Sequence, residues 1–310
     1  MSLSRRQLLS GMAIAAAAAA QDQPPGPRVP RPRTPPKPRT SPLVCLYSPH
    51  LIKVEYTDLG MILKELGFDG CNLAVVPGSH VPPEKAGSDL MRAIEAVAGT
   101  GLEVPILSTS ANSANDMNGR QVMAIAGFMQ IPLLRPGGWK YGTADPEARL
   151  TEVQRELLNF ASLARAYNIT VCLPNLTNDY VGAAIWDYVG LLRGFDPRIA
   201  GYDFDPGCAT QAGGPDGAVN GLRAAQSRLK AVTVSDALWS KDGNQWKVTP
   251  CPLGEGSVDW GRFFGTLARA KFNGPLTLEL RYQPQNELNA IRKDLEFLRK
   301  QIVTAYGSAG

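Results

Sequence analysis

The chain reads Thr170-Val-Cys-Leu173, Gly201-Tyr-Asp-Phe204 and Lys230-Ala-Val-Thr-Val234 at three places spaced about thirty residues apart. Each run is short and apolar, as expected of a strand buried in a parallel sheet. Five further runs complete the pattern: Leu43–Tyr47, Gly70–Val75, Glu103–Ser108, Pro132–Arg135 and Leu276–Leu280. Doubly wound open sheets also alternate strands and helices, but a count of eight units favours a closed (β/α)₈ TIM barrel, an α/β fold.

The segments between these runs have the periodicity of amphipathic helices. Tyr56–Leu66 places four apolar side chains on one face, and Glu152–Tyr167 and Glu287–Val303 follow the same pattern. A single barrel domain over residues 43–310 agrees with the size of about 250 residues that is typical of this fold. Because active sites of such barrels lie at the carboxyl ends of the strands, we expect the functional residues at those ends.

The amino terminus has the features of a secretory signal. Arg5 and Arg6 are adjacent, and an apolar, alanine-rich run follows from Gly11 to Ala20. Residues 1–20 therefore predict a signal peptide of the twin-arginine type, cleaved near Ala20, and export to the periplasm or the exterior. An amino-terminal membrane anchor is the alternative, but the run is shorter than the roughly 18 residues that a span requires. No stable membrane span is expected after cleavage.

Residues 21–42 are rich in proline and basic side chains and predict an extended, disordered linker. The first 42 residues carry seven of the 32 basic and one of the 28 acidic residues. The remainder therefore has 25 basic against 27 acidic side chains. A nearly neutral domain of this kind does not bind nucleic acid on electrostatic grounds.

The five cysteines give no disulfide framework, because their number is odd and their spacing shows no pairs. Cys208 and Cys251 both fall in segments predicted at the carboxyl face of the barrel. They could form a disulfide in an oxidising compartment or act with Asp205 as soft metal ligands, but free thiols are the expected state.

Several segments at the predicted strand ends form an ordered set of motifs. They are Glu65-Leu-Gly-Phe-Asp-Gly70, Gly78-Ser-His80-Val-Pro-Pro, Gly201-Tyr-Asp-Phe-Asp-Pro-Gly207, Val232-Thr-Val-Ser-Asp236, Pro252-Leu-Gly-Glu-Gly-Ser-Val-Asp-Trp260 and Gly274-Pro-Leu-Thr-Leu-Glu279-Leu. In this order and spacing, the motifs resemble the sugar isomerase/epimerase superfamily with the xylose-isomerase-like TIM barrel. The resemblance covers essentially all of residues 43–310.

The resemblance implies a divalent metal (Mn, Mg, Co or Zn) held by a Glu on strand 5, an Asp on strand 6, a His on strand 7 and a Glu on strand 8. Asp205 and Glu279 match the strand-6 and strand-8 ligands, so the resemblance implies them as metal-binding and catalytic residues. The strand-5 position reads Pro174-Asn-Leu and the strand-7 position reads Thr233-Val-Ser-Asp236. We therefore expect an incomplete metal site that binds metal weakly or not at all. Asp236 could replace the lost acid/base, although a structural role is favoured.

Seven further residues are candidates for sugar contacts: His80, Arg135, Trp139, Asn175, Cys208, Trp239 and Arg281. Aromatic faces can stack on sugar rings, and Trp246 lies in the same predicted loop as Trp239. The aromatic residues could equally pack together at the barrel mouth, and His50 and His80 could both be structural. The two arginines could bind an acidic or phosphorylated ligand, or could pair with Asp203, Asp205 or Glu279 in an emptied metal site.

Three functions are compared on these residues. The first is an exported sugar isomerase, epimerase or related lyase that uses Asp205 and Glu279. The second is a catalytically inactive carbohydrate-binding pseudoenzyme of the same fold. The third, a nuclease of the same barrel type, is disfavoured because it needs a histidine-rich metal cluster and a basic face. A small-molecule carbohydrate is the expected partner; the sequence leaves open which sugar and which oligomeric state.

Overall fold

A computed structural model describes residues 39–307 of the chain. Eight parallel strands form a closed barrel in the order β1-β10-β7-β6-β5-β4-β3-β2. Their bounds are β1 Leu43–Tyr47, β2 Gly70–Val75, β3 Glu103–Thr109, β4 Leu133–Arg135, β5 Thr170–Pro174, β6 Ala200–Phe204, β7 Leu229–Val234 and β10 Pro275–Leu278. The predicted (β/α)₈ barrel is confirmed. The predicted signal peptide and most of the predicted linker lie outside the described residues.

Helices follow the strands around the outside of the barrel. Their bounds are α1 Tyr56–Leu66, α2 Met91–Ala98, α3 Met117–Phe128, α4 Pro146–Ala166, α5 Ile185–Leu191, α6 Pro206–Ala225, α7 Trp260–Arg269 and α8 Glu287–Tyr306. Helix α4 begins six residues before its predicted start because the Asp145 side chain caps it and Pro146 fills its first turn. Within the described chain, no helix is both long enough and apolar enough to cross a membrane.

The barrel interior contains a polar layer among its apolar side chains. Asn72 is fully buried, donates to Thr277 Oγ1 over 3.3 Å and accepts from Ser108 Oγ over 2.8 Å. The bond to Ser108 joins β2 to its neighbour β3, and the bond to Thr277 joins β2 to β10, 205 residues further along the chain. Buried polar groups paired in this way fix the register of the strands beneath the site.

A two-stranded antiparallel hairpin follows β7 and was not predicted. Its strands are β8, Asp236–Asp242, and β9, Gln245–Cys251. Gly243 and Asn244 form the two-residue connection, and Gly243 has a φ of 58°, as tight hairpin turns require. The segment predicted as a long loop is therefore a ribbon that projects from the carboxyl face of the barrel.

The last residues of the predicted linker contact the opposite, amino-terminal face. The Arg39 side chain forms an ion pair with Glu103 at the start of β3, and its carbonyl accepts from Asn273 Nδ2 over 3.0 Å. Pro42 is buried. The chain therefore contacts the barrel from Arg39 onward, and the predicted boundary at residue 42 stays a prediction.

Candidate functional site

Asp205 follows β6 and caps the amino terminus of α6. Its Oδ1 accepts from the backbone N–H groups of Gly207 and Cys208 over 2.8 and 3.1 Å. Ser235 Oγ lies 2.7 and 2.9 Å from the two carboxylate oxygens. Helix N-termini favour a negative charge at this position. The carboxylate is therefore held rigidly at the carboxyl end of the barrel, where the sequence analysis expects a ligand.

Arg135 extends from β4 across the barrel mouth. Its Nη1 lies 2.8 Å from Glu279 Oε2, 3.2 Å from Thr233 Oγ1 and 3.8 Å from Asp203 Oδ2. The guanidinium carbon lies 5.3 Å from the centre of the Tyr47 ring, within cation–π range. Arg135 thus links strands on opposite sides of the barrel through one buried cation.

Arg281 bridges the two carboxylates that the resemblance implies as metal ligands. Its Nη2 lies 3.0 Å from Asp205 Oδ2 and 3.4 Å from Glu279 Oε1. The sequence left open whether Arg135 and Arg281 bind an acidic ligand or pair with carboxylates of the chain. In the structure, both arginines pair with carboxylates. We call the set Arg135, Arg281, Asp203, Asp205 and Glu279 the arginine–carboxylate centre.

The pKa values in this centre shift in opposite directions. Burial raises the pKa of Glu279, but the guanidinium groups of Arg135 and Arg281 outweigh that effect and lower it to about 2. Burial raises the pKa of Asp203 to about 6, because Arg135 and the Thr233 hydroxyl only partly offset it. Glu279 is therefore a firmly ionised group, and Asp203 changes charge near neutral pH.

The metal site that the resemblance implies conflicts with these contacts. A cation between Asp205 and Glu279 would have to displace the Arg281 guanidinium, and the strand-5 and strand-7 positions offer Pro174 and Thr233 instead of a carboxylate and an imidazole. Across residues 39–307, no group of three or more His, Cys, Asp or Glu side chains has an arrangement that could hold a metal ion. The residues present do not fit the divalent metal that the resemblance implies.

Both histidines lie above β1 and β2, and each forms hydrogen bonds within the protein. His50 Nε2 accepts from the Leu280 N–H over 2.9 Å, and its Nδ1 lies 3.2 Å from Glu287 Oε1. His80 Nε2 lies 2.9 Å from the Leu51 carbonyl, and burial lowers its pKa. The neutral His80 ring therefore donates to the backbone, and its contact with a sugar stays a prediction.

Trp139 was expected to offer a stacking face, and this expectation is wrong. The indole is 1% exposed and packs edge-on against Phe160 of α4, with ring centres 6.5 Å apart. The preceding glycines turn the chain inward: Gly138 has a φ of 79°, and a Cβ on Gly137 would approach the Ser110 carbonyl oxygen to 2.3 Å. Trp139 therefore belongs to the core beneath the β4 end.

Trp239 and Trp246 lie on the hairpin and are 40% and 68% exposed. Trp239 pairs with Val248, and Lys241 pairs with Trp246. Side chains two residues apart share a face, so both indoles lie on the same face of the ribbon. Sugar stacking by Trp239 stays a prediction, but its site would be on the hairpin rather than in the barrel mouth.

Asn175 and Cys208 were expected to contact a substrate, but both side chains are fully buried. The Asn175 amide donates to the Asp205 carbonyl over 2.9 Å and accepts from the Asp205 N–H over 2.7 Å. The Cys208 thiol lies under the first turn of α6, and burial raises its pKa. These two residues support the backbone around Asp205 instead of facing a ligand. All five cysteines are free.

Asp236 has a structural role, as favoured from the sequence. Its carboxylate accepts from the N–H groups of Ala237, Gly254, Gly256 and Val258 and from Trp260 Nε1, over 2.9–3.3 Å. These five donors engage both oxygens of the buried carboxylate. Asp236 anchors the segment that joins the hairpin to α7.

Tyr47 and Ser235 are site residues that the sequence analysis missed. Tyr47 ends β1 under the Arg135 guanidinium, and Ser235 follows β7 and faces Asp205. Both occupy strand ends, so the rule that barrel sites lie at these ends could have included them.

The fold and centre define a single-domain (β/α)₈ barrel with its charged cluster at the carboxyl ends of the strands. The chain belongs to the xylose isomerase-like TIM barrel family, whose model matches residues 62–301. None of the curated proteins matches the chain.

Solved structures share this fold at low sequence identity. A 3-keto-D-glucoside 4-epimerase from E. coli has a TM-score of 0.66 at 15% identity, covering 84% of this chain and 99% of that chain. A D-allulose 3-epimerase from Methylomonas sp. in complex with D-allulose has a TM-score of 0.65 at 15% identity, covering 84% and 97%. A Mycobacterium smegmatis xylose isomerase-like protein in complex with magnesium has a TM-score of 0.66 at 14% identity, covering 86% and 98%.

Proposed function

We propose that this protein binds a neutral carbohydrate at the carboxyl end of its barrel. Binding needs no divalent metal, and the bound carbohydrate is not chemically converted. Family membership and the sugar epimerases among its structural neighbours support the carbohydrate class. The observation that carries the metal-independent part is the bridge from Arg281 to Asp205 and Glu279. A guanidinium there supplies fixed positive charge where relatives are expected to use a metal.

The charge balance of the centre favours a neutral ligand. Two guanidinium groups face three carboxyl groups, one of which, Asp203, has its pKa raised by burial to about 6. The net charge therefore lies between zero and minus one near neutral pH. An acidic or phosphorylated sugar would meet no excess positive charge. Sugar hydroxyls can both donate to carboxylates and accept from guanidinium groups, which suits such a centre.

The pKa of Glu279 favours binding over proton transfer. A general base works best when its pKa lies near the working pH, and the arginines lower that of Glu279 to about 2. The alternative is a metal-independent isomerase or epimerase in which Glu279 is the base. One observation favours this alternative: the Glu279 side chain is 13% exposed at the barrel mouth. If the wild type converts a sugar and Glu279→Gln does not, our proposal is refuted in favour of this alternative.

Arg281→Met should weaken the binding of a neutral sugar at least tenfold, because the bridging cation and its hydrogen-bond donors are lost. Titration calorimetry with a panel of neutral ketoses and aldoses, beginning with D-allulose, measures this effect. Arg281→Lys should recover less than half of the lost binding free energy, since an ammonium cannot span both carboxylates. Arg262→Met is the matched control, because Arg262 is half exposed and pairs with Asp216 and Asp259, which are not part of the centre.

The same titration repeated in EDTA separates the proposal from metal-dependent chemistry. Affinity should stay unchanged, and protein purified without chelator should carry no stoichiometric Mn, Mg, Co or Zn. A stoichiometric metal, or an affinity that EDTA abolishes, would refute metal-independent binding.

We also propose that the protein is exported by the twin-arginine route, which rests on Arg5, Arg6 and the apolar run that follows. In a bacterial host with this pathway, the full chain should be recovered shortened by about 20 residues outside the cytoplasm. Replacing Arg5 and Arg6 together by lysine keeps the charge and should retain the unprocessed chain in the cytoplasm. Unchanged export of that variant would contradict the proposed route.

A further inference from the structure

A groove of about 640 Å³ opens at the amino-terminal end of the barrel, opposite the arginine–carboxylate centre. Apolar side chains make up most of its wall, among them Leu102, Pro105, Met129 and Pro132. Barrel active sites lie at the other end, so this groove is not a second substrate pocket of the usual kind. The groove thus offers an apolar surface on which a partner can dock.

Arg39 identifies where that partner enters. It lines the groove itself, and its side chain is ion-paired with Glu103 in the same wall. Asn273 Nδ2 fixes its carbonyl from the other side over 3.0 Å. The chain that precedes Arg39 therefore starts from the wall of the groove, and no long connection is needed for it to reach the apolar surface.

The preceding sequence has the periodicity of an amphipathic polyproline II helix. With three residues per turn, one edge is entirely apolar: Val29, Pro32, Pro35 and Pro38. A second edge is entirely polar: Arg28, Arg31, Thr34 and Lys37. Proline-rich segments lose little conformational entropy on docking, because this helix is already populated in the free chain. From Val29 to Pro38 the helix would span about 28 Å, at roughly 3.1 Å per residue.

We propose that residues 29–38 dock as a polyproline II helix on this groove of their own chain, with the apolar edge inward and the basic edge in solvent. The groove occupied in this way lies at the end of the barrel opposite the arginine–carboxylate centre. This proposal does not depend on the bound ligand or on the proposed function.

Photocrosslinking of the full chain tests the docking. We would place p-benzoylphenylalanine at Pro35 on the apolar edge or at Thr34 on the polar edge, irradiate, and map the products by mass spectrometry. The Pro35 probe should crosslink within one chain to the groove, with Met129 and Leu102 as the main sites, at a yield at least fivefold above that of the Thr34 probe. Equal yields, products elsewhere on the barrel, or products between two chains would overturn the proposal.

A pair of composition-matched variants gives a second measurement. The triple change Pro32→Ser, Pro35→Ser and Pro38→Ser removes three prolines from the apolar edge. The triple change Pro27→Ser, Pro30→Ser and Pro36→Ser removes three from the remaining edge. Amide exchange of residues 102–105 and 129–133 should accelerate at least threefold in the first variant only. Equal exchange in the two variants would also overturn the docking.

Discussion

Replacing Arg135 with methionine should lower the free energy of unfolding by about 3–5 kcal/mol, the range found when one partner of a buried ion pair is removed. The Arg135 side chain is 10% exposed, and Glu279 and Asp203 beside it are 13% and 0% exposed. Methionine fills a similar volume but supplies no charge. The loss of stability therefore comes mainly from Glu279 and Asp203, which stay buried without the positive charge of Arg135 beside them. Urea unfolding at pH 7 measures it.

Arg262→Met is the control for this experiment. Arg262 and its partner Asp216 are 50% and 84% exposed, so the change should cost less than about 1 kcal/mol. Adding Glu279→Gln to Arg135→Met should return part of the lost stability, because it removes a charge that the first change leaves under-compensated. A loss below 1 kcal/mol for Arg135→Met would mean that the centre is hydrated and not the buried network described above.

The barrel could be predicted because its strands are buried runs with a regular spacing. Leu43–Tyr47 and Gly70–Val75 were predicted to the residue, since a strand enclosed by helices is apolar on both faces. The β8–β9 hairpin was missed because its side chains are mostly exposed and give no apolar run. The Gly243-Asn244 pair between two seven-residue strands was the available signal.

The positions of the candidate site residues could be predicted, but their interactions could not. Arg135, Arg281 and Glu279 were expected at the barrel mouth because each lies at or just after a strand end. Arg135 and Glu279 are 144 residues apart in sequence, and nothing local to either one fixes whether it faces a ligand or its partner. Trp139 shows the same limit: its burial depends on backbone approach at Gly137, which residue type alone does not reveal.

The free energy of unfolding should decrease as the pH rises from about 4 to 7, with about 3 kcal/mol of that decrease coming from Asp203. Its pKa is raised by burial from 3.8 to about 6, so the folded protein holds the proton more tightly than the unfolded chain. That stabilisation is full below pH 3.8 and is lost as the pH passes 6. Asp294, whose pKa burial also raises to about 6, acts in the same direction.

Glu279 acts oppositely, because its pKa is lowered from 4.5 to about 2 and its stabilisation is lost as the pH falls below 4.5. The stability curve should therefore have its maximum near pH 4 to 5. Asp203→Asn keeps an oxygen that accepts from Thr233 but has no titratable proton. Between pH 4 and 6, the unfolding free energy of this variant should therefore fall less steeply with pH than that of the wild type, by up to about 1.4 kcal/mol per pH unit. Asp216→Asn, at an 84% exposed side chain, should change stability by less than about 0.5 kcal/mol throughout. Parallel curves for the wild type and Asp203→Asn would show that Asp203 binds its proton no more tightly in the folded protein than in the unfolded chain. The net charge of the arginine–carboxylate centre would then be minus one near neutral pH.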